Sequence, residues 1–470
     1  MIYEAERGDI RMVLTGDTML TCRLAPYKEP DYLRLLELVR SADVSFSNLE
    51  TTVRNREEGY PAAGITGTVM STTPELLDDL KWMGVNLVST ANNHACDYGV
   101  GGVLATMEHL KRVQIPYAGS GATLGQARGA GYLETRAGRV ALLAATSATS
   151  SRDFAGSAPE SAAFAALARA GDPRPDCVGR PGVNPLRFSK TFTVDAEGIA
   201  ALNRLKDELG FTKKQKRDAV HFYTAAEAAA DKSMGTSFLG GNFKSGSKFG
   251  ISTKVNEKDA EANLRFIRDA RRRADWVIFS FHNHECTEAG ADTARTKADL
   301  EESADFVVEF SRAAIDAGAD VVAGHGPHVP LGVEIYKGRP ILYSLGNFVF
   351  QSDLVNAYPS DVYGRFGLNA ESTAADFIDA RSKNDTSGFG PAAGFWHGLL
   401  GECEFRERKL SKLCLHPLDL GFGLPRSQRG RPLLARGEVA RETLERVQRL
   451  SLRYGTKINI EGETGVVSLG

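Results

Sequence analysis

The stretch Val321-Val322-Ala323-Gly324-His325-Gly326-Pro327-His328 places two histidines directly after an apolar run. The run predicts a buried strand, so both imidazoles fall where that strand ends. Neutral imidazole is a common transition-metal ligand, and the glycine and proline between the histidines favour a tight turn that aims both side chains at one small volume. One such pair alone is also typical of loop histidines held by backbone hydrogen bonds, so the interpretation depends on the other strand ends.

Three predicted strands further upstream also run into ligand-type residues. These residues are Asp17 after the strand 10–15, Glu50 after the strand 43–48, and Asn93 with His94 after the strand 85–90. Each strand is followed by a polar loop and a helical pattern, which predicts an α/β domain in layers. Ligands of such sheets bind outside the strand ends, so we expect these distant residues to converge.

A fourth apolar strand, 276–281, runs into His282-Asn283-His284-Glu285. Alternate side chains of an extended chain lie on one face, so His282 and His284 can reach the same site. A purely structural histidine pair is the alternative. The repeated position at a strand end favours a site.

The composition indicates a large globular chain with no charge bias. The 470 residues are 42% hydrophobic, and 57 Lys and Arg against 59 Asp and Glu give a net charge of -2. This charge offers no electrostatic reason to expect nucleic acid or an anionic membrane as a partner. The N-terminus lacks a signal-peptide pattern and no apolar run can span a bilayer, so we expect a cytoplasmic protein. Six scattered cysteines without a Cys-x-x-Cys pair indicate reduced thiols.

Two irregular regions interrupt the strand and helix rhythm. We interpret 150–255 as an insertion that forms a lid or a substrate-binding segment, and 351–395 as a second insertion at the rim of the site. Within the region 150–255, the sequence predicts a solvated, mobile loop at Gly240–Lys248. Its Lys244 and Lys248 can close over an anionic substrate. The predicted divisions are 1–149 and 256–350 for the two halves of the core, and 396–470 for a closing strand and C-terminal helix.

Five motifs in order resemble the CapA/PgsA family, which is associated with poly-γ-glutamate capsule synthesis. The motifs are Thr15-Gly16-Asp17, Asn48-Leu49-Glu50, Ala91-Asn92-Asn93-His94 with Asp97-Tyr98-Gly99, Gly324-His325-Gly326-Pro327-His328, and Tyr343-Ser344-Leu345-Gly346-Asn347-Phe348. The resemblance covers about residues 10–146 and 256–350 and the C-terminal helix. The fold of that family is similar to the calcineurin-like metallophosphoesterases.

The resemblance implies a four-layer αββα sandwich of the metallophosphoesterase type with two insertions and a metal centre at the strand ends. By position, the ligands are Asp17, Glu50, Asn93, His325 and His328, joined by one of His282 and His284. His94 matches the histidine that assists the leaving group or the oxyanion.

The sequence departs from the phosphoesterase pattern at two of these motifs. The family's Asp-x-His is Asp17-Thr18-Met19 here, and its closing Gly-His-x-His is His-x-x-His. Many relatives have Trp-Gly-x-Glu where this sequence has Asn283-His284-Glu285. We expect His284 to supply an imidazole in place of the one that is lost at Met19. We also expect none of the membrane anchors that are common in capsule proteins.

The leading hypothesis is a hydrolase that uses one or two divalent ions, Mn, Zn or Fe, to activate water against a phosphoester or a γ-glutamyl-type amide. Glu50 would bridge or hold the ions and His94 would act as general acid. A small-molecule or polyglutamate-like anionic substrate would contact a further set of residues. That set is Asn92, Asp97, Lys244, Lys248 and Asn347. The alternative is a non-hydrolytic accessory protein that binds the polymer or its synthase.

Overall fold

The computed structural model describes residues 9–62, 68–147, 169–221, 235–239, 241–285 and 301–469. Within these ranges the helices are α1 Pro30–Arg40, α2 Leu76–Met83, α3 Gly99–Val113, α4 Leu124–Arg128, α5 Ala196–Glu208, α6 Phe211–His221, α7 Glu257–Arg271, α8 Asp305–Asp316, α9 Ser360–Arg365, α10 Ala374–Ser382 and α11 Gly437–Ser451. Three short 3-10 helices are Ser352–Leu354, Ala393–Trp396 and Leu452–Tyr454.

The strands of the same ranges form two large and three small sheets. They are β1 Ile10–Met19, β2 Val44–Leu49, β3 Thr52–Val53, β4 Ser71–Thr72, β5 Leu87–Ser89, β6 Tyr117–Ala118, β7 Ser120–Gly121, β8 Gly131–Thr135, β9 Gly138–Thr146, β10 Gly182–Val183, β11 Phe188–Val194, β12 Gly235–Phe238, β13 Gly241–Ser245, β14 Gly250–Val255, β15 Trp276–His282, β16 Val321–His325, β17 Val333–Tyr336, β18 Arg339–Leu342, β19 Asn347–Phe350, β20 His397–Arg406, β21 Lys409–Asp419, β22 Leu433–Leu434, β23 Ile458–Glu461 and β24 Thr464–Val467.

The first large sheet has ten strands and is centred on β1. Its order is β23-β24-β21-β20-β1-β2-β5-β6, with β19 also paired to β1 and β22 to β21. The strands β1, β2, β5 and β6 run parallel, whereas β20 runs antiparallel to β1. The carboxyl ends of β1, β2 and β5 therefore lie at one edge of the sheet.

The second large sheet has six strands in the order β17-β18-β16-β15-β9-β8. Its central strands β9, β15 and β16 run parallel, with His282 of β15 in register with His325 of β16. The buried runs of these strands are almost wholly apolar, as expected for parallel strands covered on both faces. Both histidines therefore share the carboxyl end of this sheet.

Three apolar clusters show how the layers pack. Between the two sheets, side chains such as Phe46 and Ile278 form one buried cluster. The outer face of the first sheet packs against α1, α2 and α3, and the outer face of the second sheet against α7 and α8. The sequence prediction of a mixed α/β chain is confirmed.

The first strand is longer than the sequence predicts. We expected it to end before Asp17, which is wrong, because β1 continues through Met19. The extension has a physical cause: β19 pairs in parallel with β1 from Asp17 to Met19 and supplies hydrogen bonds to the end of the strand. Met19 is 2% exposed and belongs to the apolar core of the second sheet.

The region 150–255, which the sequence predicts to be an insertion, contains a regular sheet in its described parts. The four strands of this small sheet lie in the order β12-β13-β11-β14, and α5 packs on it. The prediction of a mobile loop at 240–248 is wrong for Gly241–Ser245, which is β13, because those residues pair with both β11 and β12. Gly240 and residues 150–168 and 222–234 of the predicted insertion lie outside the described residues. The role of the insertion stays a prediction.

Among the described helices, none combines the length and the apolar character that a bilayer crossing needs.

Candidate metal centre

The carboxyl ends of the two large sheets meet and bring the predicted site residues together. Asp17 of β1 is in register with Asn48 of β2 and with Asn347 of β19. The second sheet contributes His282 and His325. The predicted convergence of residues from distant parts of the chain is therefore seen in the structure.

Asp17 is fully buried and held from several sides. Its Oδ1 accepts a hydrogen bond of 2.8 Å from the Asn48 side-chain amide, and its Oδ2 accepts one of 3.1 Å from the backbone N–H of Gly326. Burial raises the pKa of Asp17, but its interactions with His328 and His282 outweigh this effect and hold the pKa well below its usual range. Asp17 is therefore a buried carboxylate anion aimed at the histidines.

Glu50 lies at the middle of the cluster and is also fully buried. Its Oε1 lies 3.8 Å from His282 Nε2, 4.0 Å from His94 Nε2 and 4.0 Å from His328 Nε2. Two buried carboxyl groups, Asp17 and Glu50, thus face histidine rings inside the protein. Such an arrangement is costly without compensating positive charge.

Two groups of three side chains have the spacing of metal ligands. The first is Asp17, Glu50 and His282, and the second is Glu50, His284 and His328. Within each group the candidate ligand atoms all lie within 4.8 Å of one another. Glu50 belongs to both groups, which is the position predicted for a bridging carboxylate.

The sequence left open whether His282 or His284 belongs to the site, and the structure brings both there. Their Nε2 atoms are 3.2 Å apart, and Asn93 Oδ1 lies 2.9 Å from His282 Nε2. The backbone N–H of His284 donates to the Glu285 carboxylate at 3.1 Å. His284 thus occupies the site while Met19, which stands where the phosphoesterase pattern has a histidine, packs in the core.

The predicted ligand His325 lies at the floor of the cluster, outside the two groups. It is 0% exposed and its ring centre is 5.5 Å from that of Phe46. Within the described part of the chain, neither ring nitrogen has a hydrogen-bond partner. Burial lowers the pKa of His325 to about 4, so the ring is neutral at neutral pH, the form that binds a metal.

This burial predicts opposite effects of His325→Leu on the two forms of the protein. Leucine removes two unsatisfied nitrogens that each cost about 1–3 kcal/mol, so the metal-free variant is expected to melt at the same or a higher temperature than the wild type. If His325 binds metal, the rise in melting temperature on adding Mn²⁺ or Zn²⁺ should shrink in the variant. An unchanged rise would remove His325 from the ligand set.

His94 forms a buried pair with Asp97 at the side of the cluster. Its Nδ1 lies 2.7 Å from Asp97 Oδ2, which also accepts the backbone N–H of Met70 at 2.7 Å. Burial raises the pKa of Asp97, against the lowering effect of His94. The contact fixes the ring of His94 and turns its Nε2 towards Glu50.

His328 is held in an uncommon backbone conformation with φ of 63°. Its Nδ1 lies 2.9 Å from Asn347 Oδ1 and 3.4 Å from Asp17 Oδ2. Phe350 stacks on the ring, and Phe389 meets it edge-on at 5.8 Å. Left-handed backbone at a non-glycine residue is typical of functional sites, and here several contacts maintain it.

Three residues predicted to touch substrate make hydrogen bonds within the site. Asn92 donates to the backbone carbonyl of Leu49 at 2.8 Å, Asp97 contacts His94, and Asn347 contacts His328. The two predicted lysines lie elsewhere. Lys244 is on β13 and Lys248 in the turn after it, both are exposed, and within the described residues no hydrogen bond or ion pair joins either to the cluster.

Asn48 is a site residue that the sequence analysis did not select. Its side-chain amide donates to Asp17 and lies 3.2 Å from His282 Nδ1, and its Oδ1 accepts from Asn92 at 3.3 Å. The amide thereby connects three strand ends. Its place two residues before Glu50, at the end of a predicted strand, was the available signal.

Comparison with known proteins shows which family the chain belongs to. The profile of the family described as bacterial capsule synthesis protein PGA_cap matches residues 11–352. The chain belongs to the PGA_cap family. The resemblance inferred from the five motifs is confirmed, and the match includes all the clustered residues described above.

Relatives of this PGA_cap protein differ in how much of the chain they match. The protein y4sH of Sinorhizobium fredii is 35% identical over 475 residues, covering 97% of this chain and 93% of the relative. The PGA biosynthesis protein CapA of Bacillus subtilis is 33% identical over 157 residues, covering 31% of this chain and 38% of CapA. A Mycobacterium tuberculosis protein named as a probable polyglutamine synthesis accessory protein is 43% identical over 53 residues, or 11% of this chain and 14% of that protein.

Proposed function

We propose that this PGA_cap protein is a metal-dependent hydrolase with a fold of the metallophosphoesterase type. The observation that carries the proposal is the pair of ligand groups that share the buried Glu50. Carboxylate and imidazole donors together suit Mn, Zn or Fe. One or two such ions would be held by Asp17, Glu50 and His282 and by Glu50, His284 and His328, with Asn93 and His325 beside them.

The fit of a cation to this site rests on charge as well as on donor type. Asp17 and Glu50 are both 0% exposed, and they are brought together by strand pairing. Buried carboxylates are stable when a cation compensates them. A bound divalent ion lowers the pKa of a coordinated water from about 15.7 to about 7 and polarises the oxygen of the bond to be cleaved.

The chain's own residues supply orientation and a proton. Asn48 fixes Asp17 and His282, and Asn347 fixes His328. His94, held by Asp97, presents Nε2 to the same space as Glu50 and donates a proton to the leaving group as general acid. The bond cleaved is a phosphoester or a γ-glutamyl-type amide. The phosphoryl oxygen of the first, or the carbonyl oxygen of the second, would face the ligand groups.

A non-hydrolytic accessory role is the second candidate. The names of two relatives, a PGA biosynthesis protein and a polyglutamine synthesis accessory protein, favour it. In that role the cluster would hold a metal for structure, or bind a carboxylate of a polymer through the metal, without turnover.

The deciding experiment measures metal content and hydrolysis on the same preparation. Protein purified without a chelating tag is expected to carry about one or two transition ions per chain and to cleave bis(p-nitrophenyl) phosphate when Mn²⁺ is present. Metal without turnover on phosphodiester and γ-glutamyl substrates would favour the accessory role. No metal, and no rescue by added ions, would contradict both the centre and the hydrolase.

A further inference from the structure

The small sheet β12-β13-β11-β14 and its helices differ in charge from the rest of the chain. Residues 188–255 contain 11 Lys and Arg and 7 Asp and Glu, a net charge of +4, so the other residues carry -6 of the total of -2. The near-neutral total therefore conceals a basic segment. Within it α6 carries three exposed lysines, Lys213, Lys214 and Lys216, that make no ion pair with any described residue.

The same segment is rich in exposed apolar side chains. Of 14 exposed large apolar residues in the described part of the chain, five lie here. They are Leu205, Leu209, Val220, Leu239 and Phe249, with exposures of 44%, 63%, 73%, 66% and 67%. Exposed apolar groups usually mark an interaction surface where they lie next to one another on the surface.

The contact between Phe211 and Phe238 brings the chain around Leu209, the chain around Leu239 and the first turn of α6 close together. The helix α5 runs over the small sheet and ends just before Leu209, after which Gly210 with φ of 77° turns the chain into α6. Phe211 at the start of α6 meets Phe238 edge-on at 5.3 Å, and Leu239 follows Phe238 directly. We call Leu209, Leu239 and the lysines of α6 the basic corner.

We propose that the basic corner docks on an anionic lipid bilayer, with the lysines at the headgroups and the leucines below them. Lysines beside exposed apolar side chains match the two layers of a membrane interface. An acidic polypeptide would satisfy the lysines but would leave the leucines exposed. A second copy of the chain would cover the leucines but would bring the same lysines face to face.

This proposal is independent of the hydrolase. The metal cluster lies at the ends of the large sheets, and neither the leucines nor the lysines of the corner belong to it. Docking requires only that the side chains of the basic corner are exposed in the folded chain.

The test is co-sedimentation of the full chain with vesicles. We expect binding to vesicles with about 30 mol% phosphatidylglycerol in phosphatidylcholine and little binding to phosphatidylcholine alone. The double variant Lys213→Glu and Lys214→Glu should weaken binding at least about 20-fold, since each lysine near an anionic surface contributes about fivefold. The double variant Leu209→Ser and Leu239→Ser should weaken it about tenfold or more, including at high salt.

Matched controls separate the corner from general charge and surface effects. Lys409→Glu with Lys457→Glu makes the same change of charge at exposed positions elsewhere, and Leu452→Ser removes a leucine that is 59% exposed. Both should bind as the wild type does. No preference for anionic vesicles, equal loss in the controls, or an unaltered leucine variant would overturn the proposal. Soluble poly-L-glutamate bound through the lysines, without vesicle binding, would identify an acidic polypeptide as the ligand and would also overturn it.

Discussion

Replacing Glu50 by glutamine is expected to remove bound metal and metal-dependent hydrolysis together. Glu50 is the member common to both ligand groups, so neutralising it weakens both at once. Replacing a residue that only hydrogen-bonds to a metal ligand typically lowers metal affinity roughly 10–100-fold. Because Glu50 would be a ligand itself, the affinity for Mn²⁺ or Zn²⁺ should fall by more than this. Elemental analysis and titration of activity with added metal measure both effects.

The same substitution is expected to stabilise the metal-free protein. Asp17 and Glu50 are buried carboxylates in one cluster, and removing one of two neighbouring negative charges relieves repulsion and desolvation. The melting temperature of metal-free Glu50→Gln should therefore equal or exceed that of the metal-free wild type. This result would distinguish loss of a ligand from general damage to the fold.

Glu402→Gln provides the matched control for Glu50. Glu402 is also a buried carboxylate, 4% exposed, but it lies away from the cluster and is paired with Arg11 and His416. Its loss should lower the melting temperature and leave the metal content unchanged. Equal loss of metal in both variants, or metal retained in Glu50→Gln, would contradict the assignment of Glu50.

The approximate positions of the site residues were predictable because a buried strand leaves a local apolar pattern, even where its last residue is set by distant pairing. An apolar run followed by Asp17, Glu50, Asn93 or His282 can be read from the sequence, and parallel strands bring such ends to one edge. The role of Asn48 was not predictable in this way. It depends on simultaneous contacts with Asp17, His282 and Asn92, which come from separate strand ends and meet only in the folded chain.

The errors in the fold prediction also arise from long-range pairing. The end of β1 pairs with β2 and with β19, which follows more than 300 residues later, and no local pattern around Asp17 reveals this pairing. The glycine- and serine-rich stretch around β13 has weak intrinsic strand preference, but β11 and β12 on either side give it hydrogen bonds. In both cases pairing with other strands outweighed the local sequence pattern, which predicted a strand end or a loop.

Charge is a second property that whole-chain composition describes poorly. A net charge of -2 argued against anionic surfaces, yet the segment 188–255 carries +4. The structure adds what composition lacks: the contact between Phe211 and Phe238 brings Leu209, Leu239 and the lysines at the start of α6 near one another. Interaction surfaces depend on local charge, because fields of exposed groups are screened within about 10 Å at ordinary salt concentrations.

Replacing His94 by asparagine is expected to slow hydrolysis in a manner that depends on the leaving group. A general acid contributes about 10²–10⁴-fold when the leaving oxygen needs a proton. The variant should therefore lose about that factor on an alkyl phosphodiester and far less on a p-nitrophenyl ester, whose leaving group departs as a stable anion. Metal content should stay at the wild-type value, because His94 belongs to neither ligand group.

Asp97→Asn tests whether the buried pair gives His94 its role. Asparagine can still accept from the Met70 backbone, but it no longer holds the His94 ring as a carboxylate does. We expect the same dependence on leaving group with a smaller loss than in His94→Asn, and no further loss when the two changes are combined. Equal losses on both esters would instead assign His94 to substrate positioning. Additive losses in the double variant would mean that the two residues act separately, although their side chains lie 2.7 Å apart.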